Sequence, residues 1–244
     1  MKSALKKLLL SIGLDVSRYD PAGSSAAQFA KALDLAGIDT VFDIGANSGQ
    51  FASKIREYGY TGTIVSFEPL SSARNDLIRV ASRDPAWLVH RQAAIGDRDG
   101  ETTIYISGNS VSSSILPMLQ LHSNAAAESG YIDSERVPLA RLDSVAGSYL
   151  THETKLFIKI DTQGYEWPVL DGASETLRKA RGLACELSLQ QLYGGQRLWR
   201  DIVDRLDDEG FILYALQKGF TNLRTGQTLQ MDGIFLRPDL LKNA

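Results

Sequence analysis

Asp43-Ile44-Gly45-Ala46-Asn47-Ser48-Gly49-Gln50 follows the apolar pair Val41-Phe42 and leads into a segment with helical spacing, while a second apolar run closes on Phe67-Glu68-Pro69. A strand, a glycine-rich turn, a helix and an acid at the end of the next strand together make a pocket for a nucleoside cofactor. The glycines let the backbone approach the ligand, and the carboxylate accepts from both ribose hydroxyls. A dinucleotide fingerprint wants G-x-G-x-x-G, whereas this turn reads Gly45-x-Asn47-x-Gly49 behind an acid at Asp43. S-adenosylmethionine fits better, because its tail carries an ammonium and a carboxylate instead of a pyrophosphate that an acid would repel. Asp43, Gly45, Ala46, Asn47 and Gly49 are therefore expected to border the cofactor, with Glu68 and Pro69 at its ribose. The plainer reading, a tight turn with Asp43 capping the helix, leaves the agreement of turn, acid and spacing to chance.

Around this turn the chain has 244 residues, enough for one large α/β domain with a substantial core. Residues 39–244 are expected to form that domain, behind a helical extension over residues 1–38. A hydrophobic content of 43%, a charged content of 23% and a net charge of −3 are ordinary globular values. They offer no basic footprint for nucleic acid. The single cysteine, Cys185, excludes an intrachain disulfide framework and suits a reducing, cytoplasmic setting. Met1 to Leu14 begins with Lys2, Lys6 and Lys7 and carries scattered leucines. Its apolar run is too short for a membrane span or a signal peptide, so it reads as an amphipathic helix, with weak membrane-surface contact as an option. The oligomeric state stays open, a homodimer being compatible with the composition.

From Thr40 onward short apolar runs alternate with helical segments: strands over 40–44, 63–67 and 87–95, helices over 49–58 and 71–83. That rhythm predicts βαβ units and a parallel sheet covered on both faces. Thr102 to Ile106 reads as an added hairpin, and the polar stretch Ser107 to Glu135 as an irregular lid or binding loop. The core resumes with strands at 155–160, 183–189, 211–216 and 231–237 and a helix over 197–209. No helix separates the last two strands, which predicts an antiparallel pair.

Taken in order, the turn at 43–49, Ser66-Phe67-Glu68-Pro69, Ala94-Ile95-Gly96-Asp97, Ile158-Lys159-Ile160-Asp161-Thr162-Gln163-Gly164-Tyr165-Glu166, Glu186-Leu187-Ser188 and Asp232-Gly233-Ile234-Phe235 resemble the FkbM family of class I S-adenosylmethionine-dependent methyltransferases. The resemblance runs from about Thr40 to Pro238. It implies a Rossmann-like α/β fold with a seven-stranded, mostly parallel sheet in order 3-2-1-4-5-7-6 and strand 7 antiparallel. It further implies methyl transfer to oxygen on a sugar, glycan or glycosylated metabolite, and cofactor contacts from Gln92, Ala94 and Asp161. One departure is that this chain has Gln92 where the family pattern leads one to expect Asn.

In a sheet of that order Asp161, Glu186 and Asp232 converge on one edge. The donor methyl is already electrophilic, so the chemistry needed is alignment and removal of a proton from a weakly acidic hydroxyl. Two arrangements fit. Asp161 or His122 acts as general base with Glu186 beside it, or Asp161, Glu186 and Asp232 hold Mg²⁺ or another divalent ion that acidifies the acceptor. Metal-free base catalysis accords better with the absence of a tightly spaced histidine. Asp161 as a simple helix cap, Glu186 and Asp232 as structural acids and His122 as a solvated loop residue are the competing readings. Tyr165, Trp167, Tyr193 and Trp199 are candidate sugar-stacking rings, with core packing as the alternative. Protein, RNA or small-molecule nitrogen as acceptor, or a non-catalytic cofactor-binding protein, remain the rival functions.

Overall fold

The computed structural model describes residues 7, 9–13 and 24–241. Most of the amphipathic helix expected over Met1–Leu14 falls outside them. Among the described residues, no helix is long and apolar enough to cross a membrane.

The first strand, β1 (Thr40–Ile44), is buried along its whole length, as expected of a strand covered on both faces. It pairs in parallel with β2 (Thr63–Phe67) on one side and with β7 (Leu156–Ile160) on the other. With β3 (Trp87–Val89), β8 (Ala180–Ser188), β9 (Ile212–Lys218) and β10 (Gln230–Leu236), these form a seven-stranded sheet in the order β3-β2-β1-β7-β8-β10-β9. Counting only this sheet's own strands, that is the expected 3-2-1-4-5-7-6. The last strand, β10, runs antiparallel to both neighbours. One face is covered by α1 (Ser25–Leu35), whose Phe29, Ala32 and Leu33 join Val41, Ile64, Phe157 and Ile234 in a single core. Ser24 starts this helix by accepting from the Ala27 N–H at 3.3 Å, the usual way of satisfying a free amide at a helix start. The other face packs Phe42, Phe67, Ile158 and Leu183 against Leu142, Val169, Leu170, Ile202 and Leu206.

Two expectations need correction. The strand foreseen over 87–95 stops at Val89, and Ala94–Ile95 (β4) joins a different sheet, of order β4-β6-β5. The Arg74 guanidinium donates to the His90 carbonyl at 2.9 and 3.1 Å, which occupies the oxygen that a longer ladder would need. The stretch 107–135 is not wholly irregular. Tyr131–Ala140 (β6) is a full strand, antiparallel to Gly100–Ser107 (β5). Asp133 and Glu135 lie on the same face as the buried Val137 and Leu139, and Arg136 on the opposite face, so charges on both faces hide the apolar alternation of the strand. Between β5 and β6 lie the loop 108–119 and the short helix α4 (Gln120–Ala125, the fourth after α2 at Gln50–Glu57 and α3 at Ser71–Ala81).

Candidate active site

The glycine turn sits where β1, β2 and β7 end. Gly45, Asn47 and Gly49 all have positive φ, at 76°, 48° and 91°, and the Gly45 and Ala46 amides both donate to the Phe67 carbonyl at 3.1 Å. A Cβ at residue 45 would lie 1.9 Å from the Asp161 carbonyl oxygen, and one at residue 49 would lie 2.9 Å from the Trp87 ring. Both positions therefore demand glycine twice over, by dihedral and by space. Glu68 is buried at the end of β2 and receives the Asn47 N–H at 2.7 Å and the Leu70 N–H at 2.8 Å. Burial pushes its carboxyl up to about 7, against the pull of those two amides. The turn and Glu68 thus form one hydrogen-bonded unit.

Beside this unit lies a cavity of about 380 Å³ at the ends of the central strands, within the range of small-molecule sites. Gly45, Ala46, Asn47, Glu68, Pro69 and Ala94 all line it, and so do Asp161, Glu186 and Asp232. The loop after β5 contributes Ser110, Val111, Ser113 and Ile115, while Phe29 and Gln217 close it from the side of α1 and β9. Its wall near Glu68 is apolar (Phe67, Leu70, Ile95, Ile104), and its other end carries the charged groups.

Asp43 is not part of that lining. Its side chain is wholly buried, 3.2 Å from the Lys159 ammonium, and it takes a long 3.5 Å hydrogen bond from Ser66. These partners face each other because Asp43 and Lys159 are register partners in the β1–β7 ladder. The same ammonium lies 3.4 Å from Asp161 and donates to the Gly45 carbonyl at 3.3 Å. Burial alone would lower the Lys159 pKa, but the two carboxylates outweigh it and hold the ammonium above its ordinary value. Asp43, lifted by burial and opposed by Lys159, supports the site from behind. Gly49 likewise packs on Trp87 and lies outside the lining.

At the charged end, Asp161 is 37% exposed, and its Oδ1 accepts from the Gln163 amide at 2.7 Å. The same amide nitrogen donates to Glu186 Oε1 at 3.1 Å. Glu186 Oε2 is buried without a partner. Burial, then the negative charges of Asp161, Glu166 and Asp232, push the Glu186 carboxyl well above its ordinary range. Asp232 faces Glu186 across the β8–β10 ladder, and burial followed by Asp161 raises it to about 6. Although the three acids share the cavity, no group of three or more histidine, cysteine or acidic side chains is disposed to hold a metal among the described residues. The Gln163 amide stands between two of them, so the expected divalent-ion set does not fit this arrangement.

Two other candidates lie elsewhere. Gln92 does not line the cavity: its amide binds the Pro69 carbonyl at 2.7 Å, Glu135 at 2.8 Å and Ser71 at 2.9 Å, tying β4 to the start of α3. His122 is 2% exposed and packs between the Tyr193 and Phe220 rings, each 5.1 Å away. Desolvation lowers it to about 4, so it is neutral near pH 7, and it is not among the residues that line the cavity. Tyr193, one of the candidate stacking rings, is fully buried and donates to Gln163 Oε1 at 3.0 Å. Trp167 and Trp199 pack against the core, whereas the Tyr165 ring lines the cavity. Three residues carry more of the site than sequence reasoning credited: Lys159, Gln163 and Glu166. Glu166 Oε1 folds the turn after β7 by accepting from the Thr162 and Gly164 amides, both at 3.0 Å. A lysine inside the otherwise apolar run Leu156–Ile160 was the available signal for Lys159.

The sequence profile of the methyltransferase FkbM domain matches residues 43–213. No protein in a search of curated sequences matches. Among solved structures the chain is similar to a methyltransferase FkbM from Methylobacillus flagellatus KT, at 14% identity and TM-score 0.47, over 80% of this chain and 43% of that one. It thus spans less than half of that relative's length. It is also similar to magnesium protoporphyrin IX methyltransferase from Synechocystis with bound S-adenosylmethionine, at 10% identity and TM-score 0.48, over 97% of this chain and 96% of that one. A third is fibrillarin from Aeropyrum pernix with natively bound S-adenosylmethionine, at 10% identity and TM-score 0.47, over 81% of this chain and 66% of that one. With the profile spanning most of the chain over a glycine turn, an acid-lined cavity and this strand order, the protein belongs to the FkbM family of S-adenosylmethionine-dependent methyltransferases.

Proposed function

We propose that this enzyme methylates a hydroxyl oxygen of a sugar, glycan or glycosylated metabolite, with Asp161 as the general base. The observation that carries this reading is the state of Asp161: open to the cavity, and gripped from two sides by the Lys159 ammonium and the Gln163 amide. The cavity suits the cofactor in chemistry, since an apolar wall for a purine adjoins Glu68 and a polar end holds an unpartnered Glu186 oxygen. Glu68, Asn47 and the Gly45–Ala46 backbone would hold its nucleoside part. When bound, S-adenosylmethionine supplies an electrophilic methyl group on a sulfonium. The protein's share is then to align a hydroxyl and take its proton. Asp161 accepts that proton, with the Lys159 ammonium 3.4 Å away and the Gln163 amide fixing its orientation. Glu186, whose carboxyl burial pushes well above its ordinary range, leaves its unpartnered Oε2 free to hydrogen-bond a neighbouring hydroxyl of a polyhydroxylated ligand.

The test is methyl-labelled S-adenosylmethionine incubated with nucleotide sugars, oligosaccharides, amines and RNA. Label recovered as a base-stable ether on a carbohydrate is the expected result. Label on amines or RNA alone sinks the reading. Asp161→Asn is expected to lower turnover by about 10²–10⁴ while leaving S-adenosylhomocysteine affinity within a few-fold.

A further inference from the structure

We infer that Gln163 is a positioning residue whose side-chain amide takes the place of a bridging cation between Asp161 and Glu186, so that this acid pair works without a divalent ion. One nitrogen with two hydrogens serves both carboxyl groups, at 2.7 Å to Asp161 Oδ1 and 3.1 Å to Glu186 Oε1. A divalent ion bound by both would need carboxylate oxygens at about 2.0–2.6 Å from a centre in the same gap. The amide has to leave before such an ion can enter.

Several contacts hold it there. Tyr193 Oη donates to Gln163 Oε1 at 3.0 Å, which points the nitrogen rather than the oxygen at the two acids. The backbone carbonyl of Gln163 accepts from Ser114 Oγ at 2.7 Å. Its own φ of 54° is left-handed, and the next residue, Gly164 at φ 96°, packs against the Tyr193 ring so closely that a Cβ there would fall 2.9 Å from it. A non-glycine residue held at positive φ is strained and persists only where the surroundings impose it. The strained turn, the tyrosine and the serine all fix the same amide in the same gap. A carboxylate in place of that amide would put a third acid between Asp161 and Glu186, with Asp232 alongside, and leave the space to an ion.

This inference takes the cavity as the acceptor end of the site, as proposed above, but its readout needs no acceptor and so fails or holds separately. Mn²⁺ binding is measured by electron paramagnetic resonance on wild type, Gln163→Glu, Gln163→Ala and Asp161→Asn, with thermal unfolding and S-adenosylhomocysteine binding confirming that each variant is folded. Wild type and Asp161→Asn are expected to show the same weak, nonspecific Mn²⁺ affinity. Gln163→Glu is expected to bind Mn²⁺ at least about tenfold more tightly, since ligand charge count sets such affinities, and adding Glu186→Gln should abolish the gain. Should Gln163→Glu fail to fold, Gln163→Ala, which empties the gap, is expected to show a smaller gain that also depends on Glu186. A stoichiometric Mn²⁺ site in wild type that Asp161→Asn destroys would overturn the inference, as would unchanged affinity in the folded position-163 variants.

Discussion

Replacing Lys159 by methionine is the sharpest test of how the site is supported. The lysine side chain is 12% exposed and faces a wholly buried Asp43 at 3.2 Å and the 37%-exposed Asp161 at 3.4 Å. At an effective dielectric of about 20, a pair at the shorter distance is worth about 5 kcal/mol of gross attraction, whereas solvent screening leaves the Asp161 contact at about 1 kcal/mol or less. Most of the loss is therefore assigned to Asp43. Removing one partner of a buried pair costs about 3–5 kcal/mol because the other is stranded, a large fraction of the roughly 5–15 kcal/mol that stabilises a domain. The stranded Asp43 must then be protonated to remain buried. Its unfolded carboxyl titrates near about 3.9, and burial holds the folded value above that. The variant's stability is accordingly intact below about pH 4 and falls as pH rises through the folded value, by up to about 1.4 kcal/mol per pH unit. Urea unfolding of wild type and Lys159→Met between about pH 5 and 8 should show the gap widening with pH. In the Asp43→Asn background the same substitution should cost much less, and the added pH slope should vanish. If the two substitutions add to within about 0.5 kcal/mol, the ion pair is not what supports the site.

Gly45→Ala should destabilise by about 2–4 kcal/mol and abolish S-adenosylhomocysteine binding, measured by calorimetry, because the new methyl group meets the Asp161 carbonyl and the dihedral is left-handed. Glu68→Ala should weaken cofactor binding by about 1–3 kcal/mol, since two turn amides lose their acceptor. With Glu68 titrating at about 7, wild-type affinity for a ribose should rise as pH increases through that value, as followed by titration. His122→Phe should leave turnover unchanged and reduce acid sensitivity. A folded value of about 4 below an unfolded one near about 6.5 means that wild-type stability is lost as pH falls through that window. Retained acid sensitivity in His122→Phe would place the titrating group elsewhere.

The strands were legible because buried parallel strands leave short apolar runs between helical periods, as Val41–Ile44 and Leu156–Ile160 do apart from one charged residue in each, while their order was implied by the family resemblance. The strand at 131–140 escaped notice because charged residues fall on both of its faces and its buried residues, Val137, Leu139 and Ala140, are confined to one end. The glycine turn announced a cofactor through residues that only a tight, ligand-facing backbone requires. His122 was misplaced because its loop position in the sequence says nothing of the Tyr193 and Phe220 rings that enclose it.

Local spacing by itself determined the α/β alternation, the nucleoside turn at 43–49, the acid at 68 and the acids that end β7 and β8 and begin β10. Each of these is written in neighbouring residues, where periodicity and dihedral demands act. Only the assembled sheet decided that Asp43 supports Lys159 instead of lining the cavity, and that the Gln163 amide reaches both Asp161 and Glu186. Strand register brings Asp43 to Lys159 and Glu186 beside Asp161, pairs remote in the chain, and a left-handed turn held by a buried tyrosine sets the Gln163 amide against both acids.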